Sequence, residues 1–367
     1  MISKMNTILV DLQFGDSGKG KVTDWLMKDH DICVRYSGGP NTGTTVWIKD
    51  KKYALHHLPV GLLRNKPSYI AQTCLINQKK LWQEICDLKL AGFDVDKNLK
   101  ISPYCHVIGD YHIIEDINLE NNEKGVGSTK QGIMPCTKDK YSRKGQRLYE
   151  SFDYEQLRKY FTNVSYDLAE ANACHKSILF QSAQGTLLDV DHGYYPYIST
   201  TNNVAGFAGG AAGFGPTNID EVVGVFKPYT TYVGNGPFDL EIKDQKMNDL
   251  IAELGGEYGT TTGRRRRIGW LSIPLLQYAC RLNGVTKLAV TKSDILEGLE
   301  VYMDDRVNFN QSDPLFLQNY KPVFTKFSDS FLVNELIQFF NKEIISKDIP
   351  DIYYVSEGKE RERMRMI

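Results

Sequence analysis

The chain is predicted to be an α/β protein on one central, mostly parallel sheet. Apolar strands alternate with helical stretches, and three of those strands run directly into glycine-rich loops. The 367 residues can bury a large core, and 41% hydrophobic with 24% charged residues is ordinary globular composition. No linker, internal repeat or low-complexity tract interrupts the chain, so residues 1–367 are read as one large domain with long loops projecting from the sheet.

Met5 to Gln13 opens as a buried strand on Ile8, Leu9, Val10 and Leu12. Gly15-Asp16-Ser17-Gly18-Lys19-Gly20 breaks it, and Lys21 to Lys28 resumes at helical period. Ile32 to Tyr36 is a second strand, followed by the glycine loop 38–43. Thr45–Ile48 and Tyr53–Leu58 read as a hairpin around residues 49–52, and Lys79–Ala91 as an amphipathic helix stopped by Gly92. Residues 110–145 are polar and glycine-rich and predict a long loop. Tyr154–Cys174 has helical spacing. Ser177–Gln181 is a strand entering the third loop, at 183–186. The Gly/Ala-rich stretch 203–215 permits close backbone approach. Val222–Tyr229 and Leu288–Thr291 are further strands, Trp270–Leu282 a helix between them, and Phe331–Phe340 a late helix.

A formal net charge of −1 leaves no overall field to attract nucleic acid or an anionic membrane. The N-terminus lacks a secretory pattern, and no stretch approaches ~18 uninterrupted apolar residues. Seven scattered cysteines without a CxxC pair argue against a metal site or a disulfide framework. A cytoplasmic protein with reduced thiols is expected.

Three segments carry chemistry. A strand that stops at glycines and feeds a helix presents unpaired N–H groups to phosphate oxygens, and Lys19 adds a positive charge. The loop is shorter than a strict GxxxxGK[ST] P-loop, and Gly20 stands where Ser or Thr would follow the lysine. Asp16 within it repels phosphate unless a metal or a transferable proton accounts for it. Thr291-Lys292-Ser293-Asp294 follows a strand; its carboxylate suits N1–H and N2–H₂ of guanine, which adenine cannot offer as a pair. Thr260-Thr261-Thr262-Gly263-Arg264-Arg265-Arg266-Arg267 suits carboxylate or phosphate capture, with two arginines facing a ligand and two structural. His56, His57, His106, His112 and His192 share no ligand-like spacing and read as structural. Asp189 and Asp191 either position a base or cap a turn.

Taken in order, GDSGKGK (15–21), VRYSGGPNTG (34–43), HHLPVGLL (56–63), GSTKQGIMP (127–135), SAQGTLLDVDHGYYPYIST (182–200), VGNGPF (233–238), GTTTGRRRRIGWL (259–271) and VTKSD (290–294) resemble the adenylosuccinate synthetase family. The resemblance implies a GTP-dependent ligase joining L-aspartate to C6 of IMP through a 6-phosphoryl intermediate. It makes Asp16 the base that takes the purine N1 proton and also a Mg²⁺ ligand, with the carbonyl of Gly43 on the same ion. Gly15, Ser17, Gly18, Lys19, Gly20 and Lys21 then hold the GTP phosphates; Lys292, Asp294, Ser356 and Gly358 enclose guanine. Asn41, Thr129, Gln184 and Ser199 contact the nucleotide substrate. Thr261, Thr262, Arg264 and Arg266 bind aspartate. Arg143 matches an arginine that reaches a neighbouring subunit's nucleotide phosphate, which implies a homodimer.

The chain also departs from that family. Thr44 stands where a histidine stabilises the transferring phosphoryl group; His56 and His57 are the alternative imidazoles. Ser17 replaces an acidic residue, and Tyr232 an arginine. The short chain and DLQFG (11–15) lean towards a viral sister branch that uses dGMP, but that branch replaces the loop aspartate with a hydroxyl residue, and Asp16 is present. A non-catalytic nucleotide-binding paralogue is the third alternative, prompted by Thr44.

Overall fold

The computed structural model describes residues 5–121, 125–259, 263–307, 309–344 and 346–367. Its frame is a nine-stranded sheet. From one edge the order is Met364–Met366, Ile352–Ser356, Lys287–Thr291, Glu221–Phe226, Thr7–Asp11 (β1), Ile178–Gln181, Ile32–Arg35, Ser68–Ile70 and Leu99–Ile101. All neighbours pair in parallel except the edge strand Met364–Met366. β1 is buried at all five positions, as a central strand covered on both faces must be, and this is why its sequence is an unbroken apolar run. Ile8 and Val10 pack into the largest core cluster, whereas Leu9 packs on the other face with Val22, Trp25 and Leu26 of helix α1 (Lys19–Leu26). Brought into parallel register, the strands deliver their C-terminal loops to one edge of the sheet, where such folds place ligands.

A second, four-stranded sheet joins Tyr229–Tyr232, Arg267–Ser272, Val301–Asp304 and Thr325–Ser328. The predicted helix 270–282 is therefore corrected: Arg267–Ser272 is a strand, and the helix starts at Ile273, where Ser272 caps it by accepting from Leu275 N at 3.2 Å and Pro274 fills the first turn. The predicted strand 222–229 divides into Glu221–Phe226 and Tyr229–Tyr232, in different sheets. The predicted loop 110–145 contains two helices, Asp110–Glu120 and Ile133–Tyr141. Tyr154–Cys174 is a 3₁₀ turn, Glu155–Tyr160, followed by the helix Val164–Ala173, and Gly206–Ala212 is a short helix. The hairpin is present, as Thr44–Ile48 against Lys51–Leu55 with Val46 opposite Tyr53.

Candidate functional site

At the C-terminal end of β1 the chain turns through Gly15 (φ 85°), Asp16 (φ 59°) and Gly18 (φ 79°), the last being the residue before α1. Left-handed backbone suits glycine and is tolerated by aspartate. Gly18 is also short of space, since a Cβ there would lie 3.2 Å from Thr291 Oγ1. Beneath the loop Asp11 is buried. It accepts from Ser17 N, Ser17 Oγ and Gln13 N, each at 3.0 Å. Lys19 Nζ lies 3.5 Å from Asp11 Oδ2 and donates to the Gln184 carbonyl. The sequence reading missed Asp11, although an acidic residue closing an apolar strand was a usable signal. It supplies a carboxylate under the loop, where Ser17 does not.

The second glycine loop is organised by Arg35, another residue the sequence reading passed over. Fully enclosed, its guanidinium donates to the carbonyls of Ser37 (3.2 Å), Gly39 (3.0 Å) and His56. Asn41 Oδ1 accepts from Gly39 N at 3.2 Å. Gly38 has φ 80°, and a Cβ on it would meet Ala183 Cβ at 2.6 Å, so this loop and the one at 183–186 lie in direct contact. Gln184 Nε2 reaches Thr42 Oγ1 at 3.4 Å, and its Oε1 is buried without a partner among the described residues. Such an acceptor suits a ligand hydroxyl or N–H.

Gly43 and Thr44 follow. Thr44 Oγ1 accepts from Gln181 Nε2 at 3.4 Å, and the packing of Thr44 and Thr45 on α1 leaves no room for a side chain at Gly20: a Cβ would meet Thr45 O at 2.6 Å. Both nearby imidazoles are occupied. His56 Nδ1 pairs with Thr42 O at 2.7 Å, and His57 Nε2 accepts from Asn77 N at 3.2 Å while burial lowers its pKa.

The four arginines divide as extended chain should, by alternation. Arg265 goes to Asp249 (2.5 Å) and Asn248 (3.0 Å); Arg267 grips both oxygens of Glu241 at 3.0 and 2.8 Å. Arg264 donates to the carbonyls of Gly127 and Ser128, each at 3.1 Å, beside Thr129. Arg266 Nε lies 2.8 Å from Asp16 Oδ2 with its N–H pointing off that line, so the contact is ionic rather than a directed hydrogen bond. Thr261 and Thr262 lie outside the described residues. The turn carrying Thr129 is held by Asp116, which accepts from Ser128 Oγ and Gly132 N at 2.8 Å each.

Beside the first turn of α1, Asp294 Oδ2 accepts from Gly358 N at 2.9 Å, and Oδ1 is buried with no partner among the described residues. Lys292 N donates to Ser356 O at 3.0 Å, and its ammonium to Gly255 O and Glu257 Oε1 at 2.8 Å each. Lys21 Nζ donates to the carbonyls of Glu357 (2.7 Å), Gly358 (3.1 Å) and Arg363 (2.8 Å), and burial brings its pKa down to about 8. Buried Asp24 holds Arg64 and Arg361.

Two predicted positions stand apart. Arg143 is exposed at φ 63° after the helix Ile133–Tyr141, with no ion pair among the described residues. Ser199 Oγ donates to Leu188 O at 3.0 Å and accepts from Asn203 Nδ2 at 2.9 Å, within a turn. Asp189 is a turn cap: its carboxylate accepts from the backbone N–H of Asp191, His192, Asn203 and Val204. His112 is likewise structural, pairing with Gly109 N and Asp139.

Comparison with known proteins gives a consistent result. The family model for adenylosuccinate synthetase matches residues 8–159 and 149–303. The adenylosuccinate synthetase of Caldanaerobacter subterraneus is 44% identical over 342 residues, covering 80% of this chain and 79% of the relative. That of Thermodesulfovibrio yellowstonii is 40% identical over 334 residues, with coverages of 80% and 78%. Among solved structures, the fully ligated adenylosuccinate synthetase of Plasmodium falciparum superposes with a TM-score of 0.85 at 29% identity, over 99% of each chain. The succinoaminodeoxyadenylate synthetase of cyanophage S-2L, bound to dGMP and dATP, gives a TM-score of 0.71 at 19% identity over 99% of this chain and 95% of its own, a likeness of fold.

Proposed function

Because the chain belongs to the adenylosuccinate synthetase family, we propose that its chemistry is carried out between the loop at Asp16 and the arginines at 264 and 266. The reaction is the GTP-dependent joining of L-aspartate to C6 of IMP, giving adenylosuccinate, GDP and phosphate. One observation supports this placement above the others. Asp16 sits 2.8 Å from Arg266, on a loop whose lysine points at Gln184, so phosphate, purine and carboxylate chemistry converge within one cleft.

In this reading Asp16 takes the proton from N1 of IMP, which makes O6 nucleophilic towards the γ-phosphate of GTP. Gly15, Ser17, Gly18 and Gly20 offer backbone to the phosphates, and Lys19 meets the charge that develops in transfer. The resulting 6-phosphoryl group is a good leaving group, displaced by the α-amine of aspartate. Arg264 and Arg266, with Thr261 and Thr262, take the aspartate carboxylates. Asn41, Thr129, Gln184 and Ser199 hold the IMP nucleotide. Lys292 lays its stem on guanine while Asp294 reads its N1–H and N2–H₂, and Ser356 to Gly358 close over it.

Thr44 can hydrogen-bond but cannot carry charge, and both neighbouring imidazoles are tied to backbone groups. Lys19 therefore carries more of the phosphoryl charge than it would beside a histidine.

Asp16 and the Gly43 carbonyl are the residues for Mg²⁺. No group of three His, Cys, Asp or Glu side chains forms a metal cage among the described residues, which fits an ion held by one carboxylate and by substrate phosphates. When bound, Mg²⁺ neutralises phosphate charge.

Incubation with GTP, Mg²⁺ and aspartate, offering IMP or dGMP separately, tests the reading through phosphate release and product mass. Turnover with IMP is expected; turnover with dGMP alone would overturn it in favour of the 2-amino branch.

A homodimer is part of the proposal. The helices Asp110–Glu120 and Ile133–Tyr141 expose Tyr111, Ile114, Ile117, Met134 and Tyr141, a large apolar face for a solvated surface. Arg143 follows directly and is exposed. A second copy covers this face, and each Arg143 serves the partner's nucleotide phosphate. Mixing an inactive Arg143→Leu protein with an inactive Asp16→Asn protein should restore activity, since mixed dimers contain one intact site. Absence of restoration would remove Arg143 from the shared site. No helix among the described residues is long and apolar enough to cross a membrane, and the cysteines are unpaired, which supports a cytoplasmic setting.

A further inference from the structure

Behind the cleft lies a fully buried carboxylate, Glu257, with no place in the chemistry described above. Its Oε1 accepts from Lys292 Nζ at 2.8 Å, Lys227 Nζ at 3.1 Å and Tyr229 Oη at 2.7 Å. Its Oε2 accepts from Arg266 NH1 at 2.5 Å, and its backbone carbonyl accepts from Arg266 N at 2.9 Å. Arg266 continues to Asp16 at 2.8 Å. One side chain thus touches both the guanine-side lysine and the aspartate-side arginine.

Burying a carboxylate and three cations together is costly unless every charge is met, and buried ionic groups are often neutral or worse for stability than apolar substitutes. Burial alone would raise the pKa of Glu257, but Lys227, Lys292 and Arg266 outweigh it and hold the carboxyl well below its ordinary range. The same burial brings Lys227 down to about 8 despite the carboxylate beside it. Lys227 reaches no position assigned to a ligand: its ammonium goes to Glu257 and to Thr231 Oγ1 at 2.7 Å.

We propose that Glu257 is a positioning residue that couples recognition of the guanine base to recognition of aspartate, so that GTP and aspartate each tighten the binding of the other. The proposal rests on the assignments of Lys292 and Arg266 given above. Guanine resting on the Lys292 stem fixes its ammonium on Glu257 Oε1. The ordered carboxylate then fixes Arg266 NH1, and with it the orientation of the guanidinium that meets Asp16 through Nε and receives the incoming carboxylate. Whichever ligand arrives first meets the ordering cost of a shared element, and the second is spared it; linkage makes the effect reciprocal.

The test is the affinity of a non-hydrolysable GTP analogue, measured with IMP and Mg²⁺ present, with and without saturating L-aspartate. The unmodified protein should bind the analogue on the order of 10-fold more tightly with aspartate. In Glu257→Gln that factor should fall to about 1, with the aspartate KM raised more than kcat is lowered. Lys227→Met disturbs the same buried cluster without breaking the Lys292–Glu257–Arg266 connection, and should keep the coupling. If Glu257→Gln does not fold, the charge-balanced Glu257→Gln/Lys227→Met protein is measured against Lys227→Met with the same expectation. Coupling retained without Glu257, lost equally in Lys227→Met, or missing from the unmodified protein would overturn the proposal. Failure of the functional reading would appear separately, as absence of turnover with IMP.

Discussion

Asp16→Asn should lose about 10³- to 10⁴-fold in kcat, the upper part of the range for a removed proton acceptor, and should also weaken binding of a Mg²⁺-dependent GTP analogue, because the same carboxylate is the proposed Mg²⁺ ligand. The size follows from what the change leaves intact. Asparagine matches aspartate in shape and is among the few residues at ease at φ 59°, so the turn between Gly15 and Gly18 survives. The supports beneath it, Asp11 on Ser17 and Thr291 Oγ1 on Ser17 O at 2.7 Å, do not involve the Asp16 side chain. The loss therefore comes from the carboxylate itself, as base, proposed Mg²⁺ ligand and partner of Arg266, and not from collapse of the loop. The amide cannot take the N1 proton, so O6 stays a weak nucleophile and phosphoryl transfer stalls. Phosphate release in single turnover is the measurement. A variant within about tenfold of the unmodified protein would move the base elsewhere in the cleft.

Asp294→Asn should raise the KM for GTP by about 10⁴-fold and create a preference for XTP. A site built around a buried polar group rejects a ligand that leaves it unpaired by factors of that order. Asp294 Oδ2 already accepts from Gly358 N, and the partnerless Oδ1 is the acceptor left for the base. An amide N–H at that position opposes the guanine amine but donates to the C2 carbonyl of xanthine. Steady-state kinetics with GTP, ATP and XTP separates the outcomes. Unchanged GTP use would take base recognition away from Asp294, and equal loss with GTP and XTP would indicate a collapsed loop.

Much of this architecture was legible in the sequence where one local rule acted alone. β1 and Lys287–Thr291 are covered on both faces, so they read as apolar runs; the glycine loops read from conformations that need glycine at positions 15 and 18. The first helix within 110–145, Asp110–Glu120, was hidden because Tyr111, Ile114, Ile117 and Leu119 are exposed while its buried side chains are His112 and Asp116, the reverse of an amphipathic pattern. Trp270 was assigned to a helix because an unbroken apolar run precedes a real one, and Ser272, the capping residue, marks the true boundary.

Within the site, the motifs located the loops but not what stands behind them. Asp11 and Arg35 act mainly on the loops that directly follow them, whereas Glu257 acts on Lys227, Tyr229 and Lys292, brought near by folding, and a lone Glu after two glycines announces nothing. Composition suggests two arginines for a ligand and two structural, and the resemblance names Arg264 and Arg266 as the ligand pair; in the structure Arg265 and Arg267 are engaged by Asp249 and Glu241.

The contacts of Lys21 and Asp24 with residues 357–363 carry a consequence for the order of events in the cell. The loop proposed for the phosphates is made long before residues 357–363, which complete the proposed base pocket. A growing chain therefore holds one half of the proposed nucleotide site without the other until that later segment has been made and has folded against Lys21 and Asp24.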